Sequence, residues 1–287
     1  MSPPVIIVGM HRSGTSVLTQ LLAQQGIFWG VNQDHHFEPR FFQQLNDALL
    51  SQTGGRWDWP EQASQLWCEP QLKAQAVTYL NQLWHALAAW RYWGVGYGLS
   101  GRRPRYWGWK DPRTTLLLPL WLQLFPDAKI IHLQRHGVDV AHSLLRRNQQ
   151  VTGQLRAASY RSVWRRTVRR LRWWLPQPCQ NRFTESYRCL TLEGGLSLWS
   201  HYMAQAEQFE PLVPAEQWLN LRFESLCEQP VNELQRCFEF IGIEVSRLKL
   251  QQLATQLRPE LAGQYRRHSH LQQFAEQQQI ALQRFNY

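Results

Sequence analysis

Residues 4–22 already rule out most architectures. Pro4-Val5-Ile6-Ile7-Val8-Gly9 is a short, continuous apolar run rich in β-branched residues. That pattern belongs to a strand buried on both faces of a parallel sheet. The turn that follows is bracketed by glycines, and Ser16-Val17-Leu18-Thr19-Gln20-Leu21-Leu22 then reads as a helix with Gly26 as its stop. A strand, a glycine turn and a helix in that order predict an α/β chain whose first loop is shaped to hold an anion. Backbone N–H groups turn inward there and the helix N-terminus points at the guest.

The loop itself is Gly9-Met10-His11-Arg12-Ser13-Gly14-Thr15-Ser16. Its glycines allow close approach of the backbone and positive φ. It departs from the nucleoside-triphosphate pattern GxxxxGK[ST], in which a lysine reaches the β- and γ-phosphates. Thr15 stands at that lysine position, and the cation, Arg12, is inside the loop. The next buried strand, 128–133, runs into Gln134-Arg135 and not into the aspartate that would organise Mg²⁺. The loop therefore suits an anionic group without the usual triphosphate machinery, and no metal ligand set is expected.

Helical spacing marks 70–90, 116–125 (interrupted or kinked at Pro119), 137–147, 192–206, 231–241 and a Gln-rich tail from 271. Trp218 to Phe223 alternates like a strand. Residues 94–108 read as a loop. Strands alternating with helices predict a parallel sheet covered on both faces, and the 287 residues read as one domain with a helical, Arg-rich insertion at about 150–190.

Two more segments carry specific information. One is Trp109-Lys110-Asp111-Pro112-Arg113. The other runs from Phe125-Pro126-Asp127 through the strand to Arg135-His136-Gly137, then Ser143 and Arg147. With the first loop they resemble the sulfotransferases that use 3'-phosphoadenosine 5'-phosphosulfate (PAPS), bacterial members and tyrosylprotein sulfotransferase above all. Leu221-Arg222-Phe223-Glu224 and Phe238-Glu239-Phe240-Ile241-Gly242 are similar to that family's closing strand and helix, so the likeness spans about 4–243.

The resemblance implies a P-loop-like sulfotransferase fold and PAPS as co-substrate. It implies that Arg12, Ser13, Gly14, Thr15 and Ser16 hold the 5'-phosphosulfate and that Arg135 and Ser143 hold the 3'-phosphate. Arg147, four residues beyond Ser143 on the same helix face, is a third candidate. Arg12 and Lys110 are the candidates for stabilising the leaving group, and Glu38 matches the family's basic glutamate. His35 and His36 are rival bases, His11 is expected to shape the loop, and Asp111 to organise backbone.

The expected reaction is metal-free in-line transfer of a sulfuryl group to a hydroxyl or amine, releasing PAP, the desulfated 3',5'-bisphosphate. The acceptor is left open among small molecule, glycan and peptide. The alternatives are a kinase-like phosphotransferase and a non-catalytic nucleotide-binding protein.

Composition bounds the rest. A formal charge of +10 predicts an anionic partner. Arg156 to Arg172 forms a basic stretch whose default reading is a solvated face, with contact to an anionic acceptor, a lid over the donor or a peripheral membrane contact as the alternatives, and nucleic acid is not expected. Five cysteines without CxxC spacing, and no evident leader or membrane span, predict a reducing, cytoplasmic setting. The aromatics at 90–93 and 106–109 pose a choice between acceptor stacking and ordinary core packing.

Overall fold

The computed structural model describes residues 2–86, 89–100, 104–160 and 184–287. Four parallel strands form one sheet, β1 Val5–Val8, β2 Gly108–Lys110, β3 Lys129–Gln134 and β4 Trp218–Arg222, in the order β2-β1-β3-β4. Successive side chains of β1 point to opposite faces. Ile6 and Val8 enter one core, and Val5 and Ile7 enter the other.

Helices cover both faces. Behind Val5 and Ile7 lie α1 Thr15–Ala23, α8 Phe223–Glu228, α9 Pro230–Ile241 and α10 Arg247–Ala254. The other face is covered by α2 Arg40–Gln52, α3 Pro70–His85, α4 Trp90–Ser100, α5 Thr114–Leu124, α6 Gly137–Tyr160, α7 Leu192–Phe209 and the C-terminal α11 Ser269–Gln277. Because β1 connects toward β2 on one side while β3 lies on its other side, the chain reverses direction beside β1. In open parallel sheets that switch point opens a crevice at the carboxyl ends of the strands.

The differences from the sequence reading are local. Residues 94–108 are not one loop: α4 occupies Trp90–Ser100, broken at Gly94, and an additional strand, β2, begins at Gly108. That strand has three residues, too few to show a period. α5 runs through Pro119, starting at Thr114. α6 runs past 147, where the helix was expected to end, to Tyr160, and α10 was not foreseen.

For four of the six rings at 90–93 and 106–109 the aromatic choice falls to core packing, while Trp90 and Tyr106 are half-buried. Trp93, Trp107, Trp109 and Tyr92 are all fully buried, and Phe42 stacks on Trp109 at 4.1 Å. These rings build core and leave no face for an acceptor, because so large an apolar surface gains most by leaving water. The basic stretch beyond Tyr160 lies outside the described residues. Among those described, no helix is long and apolar enough to cross a membrane.

Candidate active site

The first loop leaves β1 at Gly9, whose φ is +137° and where a Cβ would lie 2.3 Å from the Leu133 carbonyl oxygen of β3. Only glycine lets the two strand ends stay paired. Thr115 of α5 clamps the same residue, accepting from Gly9 N at 2.9 Å and donating to Gly9 O at 3.2 Å. Ser13 turns inward and its hydroxyl donates to Met10 O at 2.7 Å, so it shapes the loop. Arg12 itself sits at φ +71°, a left-handed conformation that costs a non-glycine residue. Arg135 holds it there by donating to Arg12 O at 3.0 Å. Gly14, at φ +98°, caps α1 and packs against the Phe223 ring, which in turn lies under the Arg135 guanidinium at 4.9 Å.

The loop and the distant arginine–serine pair therefore meet. Arg12 Nε donates to Ser143 Oγ at 2.9 Å. A single cleft of about 230 Å³ is lined by His11–Arg12, Gly14–Val17, Arg135, Ser143 and Arg147, with Glu38 and Phe223 on its wall. Its cations crowd one another. The Arg12 pKa is lowered from its ordinary value by burial, then by Arg147 and Arg135. An anion placed among them would relieve that repulsion.

The arginines are not equally free. Arg135 is 7% exposed, and its terminal nitrogens serve Arg12 O, Leu261 O and Asp139. Its Nε is buried without a partner. Arg147 pairs with Glu185 at 2.6 Å.

Lys110 ends β2, and its Nζ donates to Glu38 Oε1 at 2.8 Å and to Ser16 Oγ at 3.3 Å. Lys110 and Glu38 are 1% and 5% exposed. Burial raises the Glu38 pKa and Lys110 opposes that rise. Glu38 is held in place by neighbours that the sequence reading passed over. Gln43 donates to Glu38 Oε2 at 2.7 Å, and Arg113 approaches the same oxygen at 3.6 Å while pairing with Asp111 at 3.0 Å and Asp47 at 2.8 Å. Asp34 accepts the N–H groups of His36 and Glu38 at 2.8 and 2.9 Å. Phe37, at φ +60°, makes the reversal that turns Glu38 inward. An aspartate spaced to bond the backbone two and four residues on was the available signal for this turn.

Asp111 is wholly buried and accepts from Asn46 at 2.8 Å, anchoring β2 to α2. His36 lies on the cleft wall with its pKa at about 4, lowered by burial and then by His35 and Arg147. His11 is held well below its ordinary value by burial, then by Arg113 and Arg147. His35 packs against His36 with ring centroids 3.9 Å apart and the rings tilted, and it does not line the cleft. A second pocket of about 100 Å³ adjoins the cleft and shares His11, His36, Glu38 and Arg147 with it.

A parallel sheet with an anion-shaped loop, a cationic cleft and a buried Glu–Lys pair makes an α/β architecture with a site suited to an anion, and comparison with known proteins names it. A family model described as "Sulfotransferase family" matches residues 3–185, and one described as "Sulfotransferase domain" matches 110–278. The chain belongs to the sulfotransferase family.

Two solved structures are similar in fold. The sulfotransferase domain of the Synechococcus PCC 7002 olefin synthase has TM-score 0.51 at 18% identity, with 96% of this chain and 94% of that one covered. A sulfotransferase from Alicyclobacillus acidocaldarius has TM-score 0.51 at 17% identity, with 99% and 94% covered. Among curated proteins, an uncharacterized protein of Aquifex aeolicus (strain VF5) is 29% identical over 145 residues, which is 50% of this chain. The chain spans 17% of that relative's length.

Proposed function

We propose that the chain moves a sulfuryl group from PAPS to a hydroxyl or amine acceptor and releases PAP. The observation that carries this reading is the single cleft joining the first loop to Arg135, Ser143 and Arg147, two regions more than a hundred residues apart in sequence. One nucleotide with phosphates at both ends of its ribose fits such a pair of cationic stations.

In this reading the 5'-phosphosulfate lies against the N-terminus of α1, with Thr15, Ser16 and the backbone of the Ser13–Gly14 turn. The 3'-phosphate is met by Ser143, Arg147 and the unpartnered Nε of Arg135. Glu38 takes the acceptor proton as the new O–S bond forms. The bond between sulfur and the bridging phosphate oxygen breaks, and Arg12 and Lys110 receive the charge that builds on that oxygen. Burial, which raises the Glu38 pKa, makes it a stronger base than an exposed glutamate. Lys110, touching both Glu38 and Ser16, links base and leaving-group stabilisation.

Calorimetric titration tests the donor assignment. Arg135→Ala is expected to weaken PAP about tenfold to a hundredfold, the loss of one or two charge-assisted hydrogen bonds. Adenosine 5'-phosphosulfate, which lacks the 3'-phosphate, should lose only the smaller part that comes from the support Arg135 gives Arg12 O. Ser143→Ala, a milder change, should show the same asymmetry. Equal losses for both nucleotides would remove the 3'-phosphate role. ATP binding that requires Mg²⁺, with no PAP binding, would favour a phosphotransferase instead.

A further inference from the structure

The second pocket adjoins the donor cleft and shares His11, His36, Glu38 and Arg147 with it. Its walls come from the 34–43 segment, from Trp57, from α6 at Leu144 and Asn148, and from residues 185–189. Among the described residues, each charged side chain on those walls is already engaged. Asp34 accepts two backbone N–H groups and the Gln43 amide. Arg113 is held by Asp47 and Asp111, and Arg147 by Glu185. The Asn148 amide serves Thr184, Glu185 and Ser186. Of the buried polar atoms on those walls that lack a hydrogen-bond partner, Arg113 Nε is ion-paired with Asp47 at 2.8 Å, which leaves His11 Nε2 and His36 Nε2.

That inventory carries chemical information. A carboxylate or sulfate on the acceptor would find no unpaired cation and would lie beside Asp34, Glu38 and an anionic donor. An ammonium would find no unpaired carboxylate. Burying an unpaired charge is costly, whereas a hydroxyl needs only a hydrogen-bond partner. Both imidazoles are uncharged near neutrality, since burial and nearby cations hold their pKa values down. A neutral ring nitrogen accepts or donates according to tautomer, which suits a hydroxyl.

We propose that this pocket is the acceptor site and that it takes an uncharged, hydroxyl-bearing acceptor, positioned by the Nε2 atoms of His11 and His36 with the reacting oxygen toward Glu38. The proposal rests on the donor reading of the neighbouring cleft.

The test separates the two. PAP affinity is measured first, because failure there removes the donor reading and this one with it. With PAP bound tightly, transfer of labelled sulfate from PAPS is followed for a series of neutral alkyl glycosides, alkanols and phenols, each paired with its carboxylated and aminated counterpart. The neutral member should have a kcat/KM at least tenfold above its charged partners. Parity, a preference for charged acceptors, or no transfer to any neutral compound would overturn the acceptor proposal and leave the donor assignment standing.

His36→Phe should raise the KM of the best neutral acceptor at least tenfold, with a clearly smaller loss of PAP affinity because His36 also borders the donor cleft, and His36→Gln should recover most of the acceptor loss. An unchanged KM, or a matching loss of PAP, would overturn the role given to His36.

Discussion

Replacing Lys110 by Met probes the buried pair directly. The substitution keeps most of the side-chain volume and removes the charge 2.8 Å from Glu38. Both partners are almost fully buried, so the carboxylate left behind cannot turn to water. Breaking such a pair costs about 3–5 kcal/mol. The lower end is expected, because Gln43 still donates to Glu38 and Arg113 stays within 3.6 Å.

The sign of the pH dependence follows from Glu38. Its pKa in the folded protein is raised, with burial as the larger cause, and Lys110 works against that rise. Without Lys110 it rises further. A carboxyl group whose folded pKa lies above its unfolded value of about 4.3 stabilises the fold in its protonated form. That contribution is complete below the unfolded pKa and is lost as pH rises through the folded one. Lys110→Met should therefore lose more stability at pH 8 than at pH 5, measured by urea unfolding with the slope unchanged. Adding Glu38→Gln should restore much of the loss at pH 8. An equal loss at both pH values, or a double variant no more stable than the single one, would refute the reasoning.

Gly14→Ala would place a Cβ 2.4 Å from the Phe223 ring at a φ of +98°. It should cost about 1–3 kcal/mol in stability and at least tenfold in PAP affinity, read by urea unfolding and calorimetry, since it forces apart the loop and the Arg135 support. Asp139→Asn loosens the segment beyond Leu261. Its carboxylate accepts the N–H of Tyr265 at 2.8 Å and of Gln264 at 3.2 Å and pairs with Arg135. Losing about 1–2 kcal/mol there should speed amide exchange at Gln264 and Tyr265 roughly five- to thirtyfold while the sheet stays protected. Unchanged exchange would show that other contacts hold the segment.

Chain-local chemistry was enough for the frame of this protein. The run Val5–Val8 has one low-energy use, a doubly covered parallel strand. The glycines at 9 and 14 had to bracket a turn, and Thr15 in place of lysine already set the loop apart from triphosphate sites. Arg135 and Ser143 were singled out by resemblance to the sulfotransferase motif, in which strand, arginine and helix follow one another without interruption. Glu38 and Lys110 were named as separate candidates, but their contact, across 72 residues, was not in any local pattern.

Tertiary structure alone decided that Glu38 is buried, that Gln43, Arg113 and Asp34 fix it, and that residues 185–189 close a second pocket beside it. It also decided that Trp107 and Trp109 are core, since a tryptophan's composition suits a binding face and a packed interior equally. The division has a physical cause. Backbone shape follows from neighbours in sequence, whereas burial, charge pairing and the pKa of a side chain depend on which distant elements the sheet brings against it.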